Sequence, residues 1–381
     1  MNKTGLVIFA SILALPISAS AEIKVGVVVS ASGPAASLGI PERNAVLLAP
    51  KQIGGETVTY IVLDDNSDPT VARKNIERLV SQDHVDVVLG SSTSPASLAM
   101  VEVAGQTKTP MISFGASRAI IFPPNENNKW AFKTPFNDAT TAAATVKDMV
   151  ARKFKTVATI AFNDAYGEGW VNEFKPAAEA AGLKIVAEEK FNAKDTSVTG
   201  QALKIVSAKP DAVLVVASGT PGSLPQIALS ERGFKGQVYQ TTGVVNAQFL
   251  KIGGKSVEGV LIAADPISVA SQLPDSNPAK NAASSFATEY NKQYGADSVS
   301  AFAGYAQDAI LLVQAAIPVA LHNAKPGTDE FRAALRDAIE KSKDVQTTAG
   351  PVTMSATDHN GYSADAPVMI QAVNGAFTVA R

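Results

Sequence analysis

The residue types able to do chemistry are few and scattered along this 381-residue chain. Three histidines, His84, His322 and His359, stand far apart, each in a segment that reads as a helix end or loop, where solvation or capping outweighs catalysis. Asp64, Asp65 and Asp68 cluster as metal ligands do, but Pro69 follows at once. A strand-end turn with an acidic helix cap is the better reading. No G-x-G-x-x-G, P-loop, G-x-S-x-G or H-E-x-x-H pattern occurs, so the positive signs of an enzyme are missing. The densest polar cluster is instead Gly90-Ser91-Ser92-Thr93-Ser94-Pro95. A buried carboxylate must be met by several donors, and hydroxyls together with the unpaired N–H groups of a helix's first turn supply them without a full counter-charge. Ser94 before Pro95 is equally an ordinary N-cap with proline at the first helical position, and both uses stay open.

A turn of that kind needs a strand before it and a helix after it. Short Val- and Ile-rich runs at 23–29, 57–63, 85–89, 110–113, 156–162, 184–189, 212–217, 237–241 and 259–264 read as strands buried on both faces. Longer segments at 41–51, 70–82, 95–106, 139–153, 167–181, 199–208, 222–232 and 247–252 read as the helices between them. The alternation predicts an α/β chain of doubly wound parallel sheets, with ligand loops at the carboxyl ends of the strands. It breaks at 114–137, around Pro123-Pro124, as a chain does in passing between domains. A second break at 265–278 precedes three helices without strands, at 279–294, 300–322 and 329–341. The tail turns extended at 352–354, 368–373 and 377–379, and Asn374-Gly375 marks a type I′ hairpin.

Composition sets the class. With 46% hydrophobic residues and no cysteine, stability must come from packing, without disulfides or thiolate metal sites. A formal net charge of -2 without runs of like charge leaves no nucleic-acid footprint. Residues 1–21 carry Lys3, an apolar stretch over 6–17 and Ala19-Ser20-Ala21, the pattern of a cleavable signal peptide. Loss of those 21 from 381 residues leaves 360, enough for two domains, and loss of Lys3 takes the net charge to -3. Nothing beyond the leader reads as a membrane span. Without a cysteine to acylate, a free periplasmic protein is expected.

The order of motifs resembles the solute-binding proteins of ABC importers related to the Leu/Ile/Val-binding proteins. It is carried by Ile23-Lys24-Val25-Gly26 with Ser32-Gly33-Pro34, by Asp64-Asp65 with Asp68-Pro69, by the serine turn, and by Pro110-Met111-Ile112-Ser113. Tyr166-Gly167-Glu168-Gly169, the glycines from Gly254 to Gly259, Tyr305 with Asp308, and Gly350-Pro351-Val352 complete it. The resemblance implies the type I periplasmic-binding fold, two doubly wound lobes with three chain crossings and one ligand between them. The first lobe would be 22–137 with 266–344, and the second 138–265 with 345–381. It implies no catalysis, no cofactor and no metal, a monomer, a small-molecule ligand and an inner-membrane permease as partner. A ligand sensor of the same fold is the rival reading.

Carried onto this chain, the family's carboxylate clasp falls on Ser92, Thr93, Ser94, Gly115 and Ser117, and its second-lobe contacts on Tyr166, Ser218, Val244 and Asn246. Family amino-acid binders place an acid in the turn that corresponds to Gly243-Val244-Val245-Asn246, where it meets the ligand's ammonium. Val244 and Val245 stand there instead. An unpaired ammonium in a closed site would cost about 1 to 3 kcal/mol, so the expected ligand is a carboxylate with an apolar or aromatic body and no amino group, unless Asp265 or Glu258 serves. Leu38, at a position often aromatic in the family, leaves room for a bulkier ligand. A branched-chain amino acid is the alternative.

Overall fold

The computed structural model describes residues 22–380, so the leader expected at 1–21 lies outside the described residues. The first part of the chain runs β1 (Ile23–Val29), α1 (Ala36–Leu48), β2 (Gln52–Ile53), β3 (Glu56–Asp64), α2 (Pro69–Ser81), β4 (Val87–Gly90), α3 (Ser94–Gln106), β5 (Met111–Ser113) and β6 (Ala131–Lys133). Then follow α4 (Asp138–Ala151), β7 (Thr156–Phe162), α5 (Ala165–Ala180), β8 (Lys184–Phe191), α6 (Thr199–Ala208), β9 (Ala212–Val216), α7 (Ser223–Glu231), β10 (Gln237–Gln240), α8 (Ala247–Gly253) and β11 (Leu261–Ala264). Three helices, α9 (Lys280–Tyr294), α10 (Ala301–Leu321) and α11 (Asp329–Glu340), precede β12 (Val345–Thr347), β13 (Gly350–Val352), β14 (Val368–Val373) and β15 (Ala376–Val379).

Two sheets result. The first has the order β2-β3-β1-β4-β5-β6 and is parallel except for the β2–β3 hairpin. The second has the order β15-β14-β11-β10-β9-β7-β8, parallel until the tail hairpin adds two antiparallel strands at one edge. That hairpin turns at Asn374 and Gly375, whose φ values of 53° and 74° are those of the expected type I′ turn. Both sheets are covered by helices, because strands such as Val87–Gly90 and Ala212–Val216 are buried along their whole length. The α/β doubly wound architecture is therefore as the alternation requires.

Several boundaries differ from expectation, each for a local reason. Helix α1 begins at Ala36 and not at Pro41, with Pro41 inside it. Its first turn lies against the end of β1, where a Cβ on Gly39 would come within 2.3 Å of the Ser30 carbonyl. Strand β6 lies inside the stretch read as irregular, three residues long and paired with β5. The segment 345–362, expected in the second lobe, bonds to the first. Thr348 N–H donates to Asp308 on α10 at 2.7 Å, and Lys133 N–H of β6 donates to the His359 carbonyl at 3.2 Å. His359 is buried, not solvated, stacked on Phe132 with its Nδ1 2.8 Å from the Ala131 carbonyl oxygen. The chain joins the second sheet only at β14.

One helix among the described residues, α10, is long and apolar enough to cross a membrane, contrary to the reading that none beyond the leader would be. Its residues Phe302, Tyr305, Ile310, Val313 and Ile317 are buried in the first lobe's core, where α10 packs on α1 and α11.

Candidate functional site

The carboxyl ends of the two sheets face each other across a cavity of about 310 Å³. From the first sheet its wall takes Pro34 and Ala35 after β1, Ser67 to Pro69 after β3, the serine turn after β4, and Phe114 and Ala116 after β5. From the second it takes Phe162, Asp164 and Tyr166 after β7, Lys194 after β8, Ser218 after β9, and Thr242 and Gly243 after β10. Such ends are where doubly wound sheets hold ligands. Leu38 of α1 and Phe302 and Tyr305 of α10 close the apolar side.

Six of the ten residues expected in the site line this cavity: Leu38, Ser92, Thr93, Ser94, Tyr166 and Ser218. The serine turn divides its work differently from the expectation. Thr93, not Ser94, is the N-cap of α3, its Oγ accepting from Ala96 N–H at 3.4 Å. Ser94 Oγ accepts from Ser117 N–H at 3.0 Å, which leaves its own O–H proton to donate elsewhere. Ser92 Oγ accepts from Ser30 N–H at 2.8 Å and donates to Glu42, so its proton is committed behind the wall. Glu42 is fully buried, and burial first of all pushes its carboxyl well above the usual range.

The other four do not line the cavity. Gly115 packs beneath it, where a Cβ would meet Ser97 Oγ at 2.9 Å and the Thr93 carbonyl at 3.0 Å. Ser117 Oγ accepts from Ala119 N–H at 3.3 Å and caps a short turn. Val244 is fully buried, and a Cβ added at Gly222 would lie 2.4 Å from its Cγ1. Asn246 caps α8, accepting from Phe249 N–H at 3.0 Å. The wall passes through Thr242 and Gly243 instead, two residues earlier in the same turn.

The turn at 243–246 carries no acid, but the second-lobe wall has one elsewhere. Asp164 lies on it as the N-cap of α5, with Oδ1 accepting from Tyr166 N–H at 3.0 Å and Gly167 N–H at 3.1 Å. Burial raises its pKa while those two N–H groups oppose the shift. The alternatives considered for that role stand elsewhere. Asp265 is buried and accepts from Tyr305 O–H at 2.7 Å, and Glu258 accepts from Asn374 and Gly375 N–H at 2.9 Å in the tail hairpin. The Asp64-Asp65-Asp68 cluster is structural: Asp68 caps α2, and Asp65 accepts from Ser30 O–H at 2.7 Å.

Sequence reasoning missed Asp164, Lys194, Phe302 and the place of Tyr305 in the wall. Asp164 carried a usable signal, an N-cap directly after a strand and two residues before Tyr166. The α10 residues carried none, since nothing in their neighbourhood places them beside a turn some 200 residues earlier in the chain. Tyr166 donates its hydroxyl proton to Thr241 at 2.7 Å, so its ring rather than its polar end is offered to the cavity.

The lobes meet at the cavity's rim. A Cβ on Gly219, after β9, would lie 2.6 Å from the Pro34 carbonyl oxygen of the opposite lobe. Arg118 pairs across the gap with Glu173 of α5 at 3.2 Å. At the crossings, Lys133 Nζ donates to the Pro135 and Phe136 carbonyls at 2.7 and 3.0 Å, and Asn360 donates to the Lys133 and Pro135 carbonyls. Lys133 and Asp138 are both buried there, which lowers the first pKa and raises the second.

Residues 22–376 match the model of a periplasmic binding protein family, and the chain belongs to it. The fold is that of the type I periplasmic-binding proteins, and the family is one of solute-binding, non-enzymatic proteins. Leu/Ile/Val-binding protein homolog 3 of Brucella melitensis biotype 1 is 24% identical over 359 residues, 92% of each chain. A crystal structure of an extracellular ligand-binding receptor from Rhodopseudomonas palustris HaA2 is 44% identical, with a TM-score of 0.91 over 94% of this chain and 100% of its own. A Rhodopseudomonas palustris ABC-transporter solute-binding protein in complex with benzoate is 23% identical, with a TM-score of 0.79 over 94% and 95% of the two chains, and shares the fold.

Proposed function

We propose that this protein, exported by its leader and free in the periplasm, binds one small carboxylate in the interlobe cavity and presents it as a monomer to a cognate ABC permease. The ligand's body is apolar or aromatic, of the benzoate, phenylpropanoid or keto-acid kind. The observation that carries this reading is the asymmetry of the wall. The first turn of α3, with Thr93 and Ser94, supplies donors at the positive end of a helix, while Leu38, Phe114, Phe162, Phe302, Tyr166 and Tyr305 supply rings and aliphatic carbon. Contacts from both lobes then favour the closed form that the permease reads.

A branched-chain amino acid is the second reading. Asp164 favours it, as an acid on the cavity wall able to face an ammonium. A thermal-shift screen of leucine, isoleucine and valine against aromatic and keto acids separates the two, because a ligand at a thousand times its dissociation constant adds about 4 kcal/mol of stability. The amino-free acids are expected to give the largest shifts. Tight leucine binding would overturn the ligand assignment, and chemical turnover of a bound compound would overturn the binding role.

A further inference from the structure

We propose that Asp164 is a specificity-determining residue, whose free carboxylate oxygen accepts a hydrogen bond from a hydroxyl on the part of the ligand that faces the second lobe. This rests on the carboxylate reading above and narrows it to hydroxylated carboxylates.

The two oxygens of Asp164 are used differently. Oδ1 holds both N–H groups of the α5 cap, and Oδ2 has no partner among the described residues. The residue is half-buried and its open side is the cavity wall. Capping needs only one oxygen and is served as well by asparagine. A closed cavity that leaves an ionised oxygen without a donor penalises every ligand that cannot supply one.

Three hydroxyls on and behind the cavity lining are paired within the protein. Tyr166 O–H is given to Thr241, Thr241 O–H to the Ala217 carbonyl at 3.1 Å, and Tyr305 O–H to Asp265. Asp164 therefore offers a strong acceptor beside hydroxyls that are already paired. Lys194, the other charged residue on the second-lobe wall, already places a cation there. A neutral hydroxyl meets Asp164 without adding a second positive charge to that wall, whereas an ammonium adds one. The carboxylate end of the same ligand is taken by the opposite lobe, so the required molecule is bifunctional, with an acid at one side and a hydroxyl at the other.

The test is calorimetric titration of the parent and Asp164→Asn with phenylacetate, 4-hydroxyphenylacetate and 4-hydroxyphenylacetamide, and with leucine and 4-methylpentanoate. Asparagine keeps the cap but replaces the free acceptor with a donor, and circular dichroism with urea unfolding checks that the variant is folded. The parent is expected to bind the hydroxylated acid at least about tenfold more tightly than phenylacetate, the range for a hydrogen bond to a charged group. In Asp164→Asn that ratio should fall to about threefold or less, as the hydroxylated acid loses its acceptor and phenylacetate is relieved of an unpaired one. An equal ratio in parent and variant overturns the assignment. So does a preference for leucine over 4-methylpentanoate that disappears in the variant, which would give Asp164 an ammonium as its partner. Equal binding of the acid and its amide would remove the carboxylate reading while leaving the hydroxyl preference readable, and binding of neither aromatic acid by the parent would sink both.

Discussion

Gly219→Ala tests whether the lobes meet in the bound form as they meet here. Gly219 has φ +66° and ψ -162°, a backbone conformation that side-chain-bearing residues rarely adopt, and an added methyl would sit 2.6 Å from the Pro34 carbonyl oxygen. The two effects separate by state. Backbone strain is present whether the lobes are open or closed and lowers stability alone, by about 1 to 3 kcal/mol. The collision exists only in the closed form. A carbon and a carbonyl oxygen need roughly 3.2 Å or more, so the rim must open by over half an ångström, and a gap of that size forfeits about a quarter to a half of each dispersion contact across it. Overpacking of this kind costs about 1 to 3 kcal/mol, which reads as a loss of affinity of roughly 5- to 150-fold. Titration calorimetry with the best ligand gives the affinity, and urea unfolding without ligand gives the strain. Gly182→Ala is the control, since Gly182 has φ +79° with nothing within 4 Å of its Cβ position, so it should lose stability and keep affinity. If Gly219→Ala binds as tightly as Gly182→Ala, the rim contact is no part of the bound state.

Further outcomes follow from the same contacts. Ser94→Ala removes the acceptor of Ser117 N–H together with a donor on the cavity wall, and should weaken carboxylate binding by about 1 to 3 kcal/mol; Ser117→Ala, outside the wall, should change affinity much less, and equal losses would contradict this placement. Val244→Glu should destabilise the second lobe by several kcal/mol rather than exchange ligand preference, because Val244 is fully buried against Gly222; a folded variant with parental stability in urea would refute that packing. Asp265 is raised to about 7, chiefly by burial. Its contribution to stability is thus complete below about pH 4, the unfolded value, and is lost as pH rises through about 7. Asp265→Asn should flatten part of the fall in urea midpoint between about pH 4 and 7, and an unchanged slope would clear Asp265 of that role. Glu173→Gln removes the interlobe pair with Arg118, a partly exposed contact worth at most about 1 kcal/mol, and should lower both ligand affinity and its dependence on salt; a salt dependence equal to that of the parent would show that the pair does not report closure.

What the sequence determined by itself is everything set by neighbours along the chain. Strand runs such as 156–162 bury both faces and so announce a parallel sheet; Asp68 before Pro69 announces a cap; Asn374-Gly375 announces a hairpin whose turn residues have the required positive φ. The serine turn was legible for the same reason, since its position between a strand and a helix is local. Which of its hydroxyls face the cavity was not. Ser92 is turned inward by Glu42, 50 residues away, and Ser94 is engaged by Ser117, 23 residues away. The slip from Val244 to Thr242 and Gly243 has the same origin: a turn of buried residues shows one side to the cavity and the other to the core, and only packing against Gly222 selects the sides. Tyr305 reaches the wall because α10 lies across the first sheet, and the segment 345–362 stays with the first lobe because Asp308 and β6 hold it there. Local periodicity fixes elements, but the facing of a side chain depends on contacts between elements far apart in sequence, and those exist only in the folded chain.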